Sequence, residues 1–392
     1  MPTVRGWIAL GVAGALAVLW IVFGELEMLA TALFLGLATG IGVVFVRYGA
    51  PSVAVSRQLH PIQAHEGDRV VVEVDVVASR RVSNLSLSDT VHGLGVATFA
   101  AARTSPGQPL VARYEVFCRN RGVYPVGPAV VGVTDPFTLA ERSAKTGAVD
   151  RLVVYPSITQ LSGFPAVRGH DPATQSTRPT FAPHGGEDFF TLREYQVGDD
   201  LRRVHWPSSA KRDELMIKQL EVPWQARALV LLDQRADRFA DEESFEQAVR
   251  GAASVTAHLF KGGFSPELWA GERAPGTRSG DRYSQAMELL ASVQPLEHLD
   301  LRRTVARLRR SGVGGGALVI VTGTPDHGVM AAYRALAQDF TRTVLMAVTE
   351  LAPDIATFQR AGAITVTVGT QISWAPAWRT AMELSWSSAS AG

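Results

Sequence analysis

Residues 228–233 read Ala-Leu-Val-Leu-Leu-Asp, an apolar run that ends at the carboxylate of Asp233. A short run of this kind, without polar alternation, predicts a strand buried on both faces, as in a parallel sheet. Three similar runs follow, at 317–321, 343–348 and 364–368. Segments with apolar residues at helical spacing separate the runs, at 242–260, 328–340 and 353–361. Strands that alternate with helices predict a doubly wound α/β domain over residues 226–392.

The carboxyl ends of the predicted strands are the first place to look for a binding site. Open parallel sheets bind their ligands beyond these strand ends. Asp233 follows the first strand, and Thr322 follows the second. The sequence therefore predicts that Asp233 and Thr322 lie together at one rim of the sheet.

A different pattern covers residues 51–160. Residues 70–76 read Val-Val-Val-Glu-Val-Asp-Val after the turn at 66–68, and alternation of this kind predicts a half-buried strand. Shorter segments with the same alternation follow at close intervals and are separated by Gly and Pro. This series predicts a β-sandwich-like domain. It shows no catalytic pattern, and we interpret the domain as a rigid spacer rather than a ligand-binding module.

The first 50 residues contain two uncharged runs, 6–24 and 28–46. A helix of 19 residues is roughly 28 Å long, about the thickness of the hydrocarbon core of a bilayer. A cleaved signal peptide with a site near 30–32 is the alternative. It is disfavoured because the first run is long for a signal peptide and a second apolar run follows at once.

The charges that flank the two runs predict the orientation of this hairpin. Glu25 and Glu27 lie in the short link, while Arg5, Arg47 and Arg57 lie outside the runs. Positive residues favour the cytoplasmic side. We therefore expect a multi-pass protein of the cell membrane, with the lipid bilayer as a partner and the soluble domains in the cytoplasm.

Composition excludes several classes of function. The formal net charge of the 392 residues is +1, which gives no field that favours nucleic acid as a partner. A single cysteine, Cys118, cannot form an internal disulfide. The histidines show no zinc-site spacing, so we expect no zinc site. We also expect no cofactor.

Residues 161–225 combine a linker rich in Gly, Pro, Ser and Thr with a charged motif at 185–206. The motif either presents a recognition surface, for example for a phosphate, or forms a paired network that fixes a loop. We favour the network, because buried charges persist only when they are paired. A hydrolase that uses the acids between 187 and 200 is disfavoured, because each acid has an arginine close in sequence. The candidate binding residues are Arg193, Tyr195, Gly198, Asp199, Arg202, Arg203 and Trp206.

The order of these residues resembles the signature of the domain-of-unknown-function 58 (DUF 58) family. Segments 121–124, 135–137 and 153–156 also resemble the family's upstream strands, and the apolar hairpin fits its layout. His205 and Lys211 depart from the usual residues. The family has no agreed enzymatic activity, so the resemblance implies none. It implies a MoxR-type AAA+ ATPase as a partner. It also implies a C-terminal domain similar to von Willebrand factor A domains, which have a Rossmann-like (Rossmannoid) fold.

The resemblance also implies a comparison with the Mg²⁺ site of von Willebrand A domains, which uses Asp-x-Ser-x-Ser together with a Thr and a further Asp. Here the first three positions are Asp233, Arg235 and Asp237, and Thr322 is followed by Gly-Thr without the expected acid. Arg235 brings a fixed positive charge that can pair with Asp233. We therefore expect a degenerate, metal-free site with no catalytic residues.

These patterns together predict a membrane-anchored, non-catalytic scaffold or adaptor. Its partners would be proteins, among them a MoxR-type AAA+ ATPase, in the assembly or maturation of a client. The alternative is a hydrolase or a ligand-binding protein that uses the central Arg/Asp-rich motif.

Overall fold

The computed structural model describes residues 1–49, 52–80, 82–164, 190–195, 204–212, 214–220, 227–271, 281–350 and 355–390. The chain divides into two compact units. Unit 1 comprises Met1–Ser157 and Leu290–Ser292, and unit 2 comprises Ile158–Leu289 and Val293–Gly392. The finer division into four segments stays a prediction.

Unit 1 begins with helices α1 (Val4–Phe23) and α2 (Leu26–Gly49), joined at Gly24. α1 starts before its apolar run because the Thr3 hydroxyl accepts the Gly6 N–H at 3.2 Å and caps the first turn. α1 has 20 residues and is about 30 Å long. Both helices are long and apolar enough to cross a membrane. The prediction of two apolar helices is confirmed.

Unit 1 also contains two β-sheets. The first sheet is antiparallel and has the order β1-β3-β6, with β1 (Val53–His60), β3 (Arg69–Ala78) and β6 (Leu110–Phe117). The second sheet contains β2 (Ala64–His65), β4 (Val82–Val91), β5 (Gly95–Thr104), β7 (Gly122–Val126), β8 (Ala129–Thr134), β9 (Glu141–Thr146) and β10 (Asp150–Tyr155). Its order is β2-β10-β7-β4-β8-β9, and β5 pairs with β4.

One hydrophobic core draws on both sheets of unit 1. The alternation predicted at 70–76 places four valines of β3 in this core, Val70, Val72, Val74 and Val76. Leu85 and Leu87 of β4 and Val131 of β8 supply its other side. The single cysteine, Cys118, belongs to the same core and is fully buried.

A polar cluster lies inside unit 1. Arg57 donates to Asp89, at 2.8 Å from Nε and 2.7 Å from Nη2, and the Tyr114 hydroxyl donates to the same carboxylate at 2.8 Å. Asp89 is fully buried. Burial raises the pKa of Tyr114 far above its usual value, and the hydrogen bond to Asp89 is the second cause of this rise. The three side chains satisfy one another, so we interpret the cluster as structural.

Unit 2 contains a small hairpin and a larger parallel sheet. The hairpin pairs β11 (Phe190–Glu194) with β12 (Met216–Leu220), and α3 (Trp206–Arg212) lies between them in the chain. The sheet consists of β13 (Arg227–Leu232), β14 (Ser265–Ala270), β15 (Gly315–Thr322), β16 (Phe340–Val348) and β17 (Ile364–Val368). All its pairings are parallel, in the order β14-β13-β15-β16-β17.

Helices cover both faces of the parallel sheet. They are α4 (Glu242–Lys261), α6 (Leu301–Arg310), α7 (His327–Ala337), α8 (Ile355–Arg360) and α9 (Trp374–Ser390). A further helix, α5 (Arg282–Ser292), lies between β14 and α6 in the chain. Leu229, Leu231 and Ile320 share a core with residues of α6, α7 and α8. Successive strand residues point to opposite faces, and α4 packs against the sheet together with α9, where the Trp374 indole N–H donates to the Gln247 carbonyl at 3.0 Å.

The structure corrects two details of the sequence prediction for this region. A fifth strand, β14, lies at one edge of the sheet and was missed. The helix predicted over 328–340 ends at Ala337, and Phe340 already begins β16. The helix predicted over 353–361 is observed as α8, and residues 353–354 lie outside the described residues.

Candidate functional site

The strand order of the parallel sheet reverses between β13 and β15. From β13 the chain passes to β14 on one side, and then crosses back to add β15 on the other side. At such a switch point two successive connections leave in opposite directions, and a crevice opens beyond the strand ends. Asp233 directly follows β13, and Thr322 is the last residue of β15. The predicted meeting of these two residues is observed.

Asp233 is held from both neighbouring strand ends. Its backbone N–H donates to the Val321 carbonyl at 2.8 Å, and its carboxylate accepts the Thr322 hydroxyl at 3.0 Å. Only 1% of Asp233 is exposed, and Thr322 is fully buried. A buried carboxylate needs compensation by charge or by hydrogen bonds, and one hydroxyl does not supply enough of either.

The Arg235 guanidinium supplies that compensation. Its Nη2 lies 2.8 Å from Asp233 Oδ2, and its Nε lies 3.0 Å from Asp233 Oδ1. On its other side, Nη1 and Nη2 each donate at 3.0 Å to Asp326, one to each carboxylate oxygen. The planar fork of an arginine suits such paired contacts. Arg235 therefore bridges two acids, one from each side of the switch point. We call this the Asp–Arg–Asp bridge.

Asp326 is the acid that the sequence prediction missed. It caps the amino end of α7, where its Oδ1 accepts the Val329 N–H at 2.9 Å. Burial alone would raise the pKa of Asp326. The hydrogen bonds from Arg235 and the Val329 N–H, with the charges of Arg235 and Arg238, outweigh burial and hold that pKa below its usual value. Residues 322–324 carry no acid, as noted above, but Asp326 reaches the rim from four residues beyond Thr322.

Asp237 lies at the outer side of the site. Its carboxylate is exposed and accepts from Arg238, which lowers the pKa of Asp237. Arg238 in turn approaches Asp326, with 3.3 Å between Nη1 and Oδ2. Asp237 is therefore linked to the bridge through Arg238 and has no direct bond to Asp233. Of the four predicted rim residues, Asp233, Arg235 and Thr322 form the centre.

Backbone contacts fix the loop that carries Arg235. The Leu296 N–H donates to the Gln234 carbonyl at 2.7 Å on one side. On the other side, the Thr324 N–H donates to the Arg238 carbonyl at 2.8 Å. A Cβ on Gly323 would lie 2.1 Å from that carbonyl oxygen, so only glycine allows this approach. Because the loop is fixed on both sides, the guanidinium has one preferred position.

Each carboxylate oxygen of the bridge already has at least two donor groups within 3.3 Å. Asp233 Oδ1 accepts the N–H and the Nε of Arg235, and its Oδ2 accepts Nε and Nη2 of Arg235 and the Thr322 hydroxyl. Asp326 Oδ1 accepts Nη2 of Arg235 and the Val329 N–H, while its Oδ2 faces Nη1 of Arg235 and of Arg238. A hard cation such as Mg²⁺ needs such oxygens with free lone pairs. Among the described residues, no group of three His, Cys, Asp or Glu side chains could hold a metal ion. A metal-free site stays a prediction.

The structure describes only part of the central motif. Gly198, Asp199, Arg202 and Arg203 lie outside the described residues. Arg193 pairs with Ile217 in the β11–β12 hairpin, and the Tyr195 N–H donates to the Leu215 carbonyl at 2.8 Å. Trp206 begins α3 with an exposed side chain. Whether the motif binds a ligand or forms a network is therefore an open prediction.

These observations define a class of protein. The chain joins two apolar N-terminal helices and a β-rich unit to a parallel α/β unit with an Asp–Arg–Asp bridge at its switch point.

The model of the family described as "Protein of unknown function DUF58" matches residues 191–368 of this chain. The family resemblance noted in the sequence is confirmed. The chain is also similar to the "Uncharacterized protein YeaD" of Bacillus subtilis (strain 168). The two are 26% identical over 293 residues, which cover 70% of this chain and 71% of that protein.

Similarity to solved structures is weak. A CARDB domain from Pyrococcus furiosus is 16% identical, with 27% of this chain and 89% of that chain covered at a TM-score of 0.22. Cwp6 from Clostridium difficile is 7% identical, with 80% of this chain and 53% of that chain covered at a TM-score of 0.18. Scores this low carry no argument about fold or function.

Proposed function

We propose that the protein is a membrane-anchored, non-catalytic scaffold whose α/β unit binds proteins at the carboxyl rim of its parallel sheet. The observation that carries this proposal is the Asp–Arg–Asp bridge. A von Willebrand A-like domain, as we interpret this unit, commonly presents a divalent cation at this rim. Here a guanidinium lies between the two acids, so the rim is organised without a metal and stays available for polypeptide.

The other parts of the chain support the same proposal. The α1–α2 hairpin has acids in its link and arginines outside it, which favours insertion from the cytoplasm with both ends on that side. The two sheets of unit 1 share one core and would act as a sandwich-like spacer. A MoxR-type AAA+ ATPase is the partner that the family resemblance suggests.

Equilibrium dialysis of the full chain in detergent tests the metal-free rim. We expect no stoichiometric Mg²⁺ binding at millimolar concentrations, because the oxygens of Asp233 and Asp326 already accept donors. Stoichiometric binding that disappears in Asp233→Ala would overturn the proposal.

A matched pair of substitutions tests protein binding at the rim. Thr324 lies just beyond β15 at the carboxyl rim, and Thr341 lies near the start of β16 at the opposite end of the sheet. Both are exposed, and each hydroxyl makes one side-chain hydrogen bond of 3.4 Å. We expect Thr324→Arg to reduce recovery of the ATPase in a pull-down with the full chain, and Thr341→Arg to leave it unchanged. Equal recovery with both variants would contradict binding at this rim.

The alternative, a hydrolase or ligand-binding protein that uses the central motif, makes a different prediction. It requires Asp199 to take part in turnover or binding. Asp199→Asn in the full chain, assayed against a broad substrate panel, separates the two, because a scaffold has no turnover to lose.

A further inference from the structure

The loop between β8 and β9, residues 135–140, contacts the helical hairpin where α1 begins and where α2 ends. The Thr3 N–H donates to the Leu139 carbonyl at 2.9 Å, and the Thr3 hydroxyl donates to the Thr138 carbonyl at 2.6 Å. Pro2 pairs with Ala140 in an antiparallel bridge. The first residues of the chain therefore continue this loop, and α1 starts directly from it.

Two glycine contacts fix the level of the loop along the helices. A Cβ on Gly6 of α1 would lie 2.1 Å from the Leu139 carbonyl oxygen, and a Cβ on Gly42 of α2 would lie 3.3 Å from the Asp135 carboxyl carbon. Gly6 is the first residue of one uncharged run, and Gly42 lies four residues before the end of the other, about 6 Å along the helix. The loop thus lies where the apolar surface of both helices ends.

The loop itself has a fixed shape. Asp135 is buried and accepts the Phe137 N–H at 3.0 Å and the Ala140 N–H at 2.6 Å. The Asp135 N–H closes the loop by donating to the Ala140 carbonyl at 3.1 Å. This order does not bury Phe137, whose residue surface is 75% exposed. The structure therefore holds a large apolar ring outward, at the level where the apolar helices end.

The surroundings of Phe137 match the headgroup region of a bilayer. Trp7 and Tyr48 are exposed near the same ends of α1 and α2, where amphipathic rings are favoured. Arg5 donates to the Thr138 hydroxyl at 3.0 Å, and Arg142 donates to the Arg47 carbonyl at 2.9 Å. These cations lie beside the loop and complement anionic lipid headgroups.

We propose that the loop 135–140 is a third membrane contact, in which Phe137 inserts at the boundary between headgroups and acyl chains. The inference rests on the proposed anchoring of α1 and α2. The loop would set the depth of the hairpin and fix unit 1 against the bilayer surface. Amphipathic helices that lie in the interface bury their apolar faces by about 5–10 Å, and a single exposed ring such as Phe137 can reach the same boundary.

Site-directed fluorescence tests this contact in the full chain. Phe137→Cys, labelled with an environment-sensitive fluorophore, is reconstituted into vesicles of phosphatidylethanolamine and phosphatidylglycerol that carry nitroxide lipids. Because Cys118 is fully buried, the unsubstituted chain gives the labelling background, and an unreactive Cys118 shows that the fold is intact. Pro136→Cys provides a second probe in the same loop.

Two further probes separate this inference from the anchoring on which it rests. Leu33→Cys reports from an exposed position within the uncharged run of α2, about two turns after the helix begins, and Ile62→Cys reports from an exposed apolar position beyond the far end of β1. We expect nitroxides near the headgroup to quench the probe at 137, deep nitroxides to quench the probe at 33, and neither to quench the probe at 62. A probe at 137 that behaves like the one at 62, while 33 is quenched, overturns the loop contact alone. An unquenched probe at 33 overturns the anchoring, and the loop contact with it.

Discussion

Replacing Arg235 with serine tests the Asp–Arg–Asp bridge directly. The change leaves Asp233, with a side chain 1% exposed, and Asp326, with a side chain 27% exposed, without their shared guanidinium. Removing one partner from a buried ion pair costs about 3–5 kcal/mol. At about 2–4 °C per kcal/mol for a unit of this size, the melting temperature of unit 2 should fall by about 6–20 °C. The Thr322 and Val329 donors remain and favour the lower end of this range.

The same variant should gain sensitivity to divalent cations. Arg235→Ser places a hydroxyl among two carboxylates and the Thr322 hydroxyl, which together form an oxygen-rich site. A cation at 100 times its dissociation constant would restore about 2.7 kcal/mol. We therefore expect Mg²⁺ or Ca²⁺ to raise the melting temperature of Arg235→Ser and to leave that of the unsubstituted chain unchanged.

Tryptophan fluorescence during urea or thermal unfolding measures both effects. Trp374 and Trp378 are fully buried in unit 2, whereas residues 51–157 contain no tryptophan. Arg303→Ser is the matched control. Its side chain is 81% exposed and pairs with Asp300 at 3.4 Å, so we expect a change within about 0.5 kcal/mol. If Arg235→Ser is as stable as this control and does not respond to cations, the bridge contributes nothing and our account of the rim is refuted.

Two further predictions concern pH and the polar cluster of unit 1. The pKa of Asp326 is lower in the folded state than in the unfolded chain. Its ion pair therefore stabilises the fold fully above the ordinary aspartate pKa of about 3.9. This contribution is lost as the pH falls through the lower pKa of the folded state. The stability difference between the unsubstituted chain and Arg235→Ser should therefore shrink below about pH 4 in urea titrations, and a constant difference would contradict this. Tyr114→Phe removes the donor to buried Asp89 and should destabilise unit 1 by about 1–3 kcal/mol, measured as the urea dependence of Cys118 labelling. The tryptophan transition of unit 2 should not move, and an unchanged Cys118 profile would show that the hydroxyl contributes nothing.

The sequence predicted those elements whose hydrophobic pattern is complete within the element itself. The apolar run before Asp233 and the alternation in β3 are long and regular, and the structure has a strand at each place. β14 was missed because Pro266 and Glu267 interrupt its apolar pattern, which is the pattern of an edge strand rather than a central one. Such a strand is specified by its neighbour β13 more than by its own residues.

The candidate site was predictable in part for the same reason. Asp233 and Thr322 follow from the positions of the strand ends. Asp326 does not, because its contact with Arg235 depends on how α7 packs after β15. An aspartate just before a helical run is a known cap signal, and it would have placed Asp326 at the amino end of α7, although not beside Arg235.

The edge position of β14 has a consequence for how copies of this protein behave when crowded. A sheet can add an extended peptide, or pair with the sheet of another copy, only where an edge strand presents unpaired backbone N–H and C=O groups. Within β14, Pro266 supplies no N–H, and Glu267 adds a charge. Strand addition is therefore discouraged along this flank, and dense packing of copies would not promote pairing of their sheets through it.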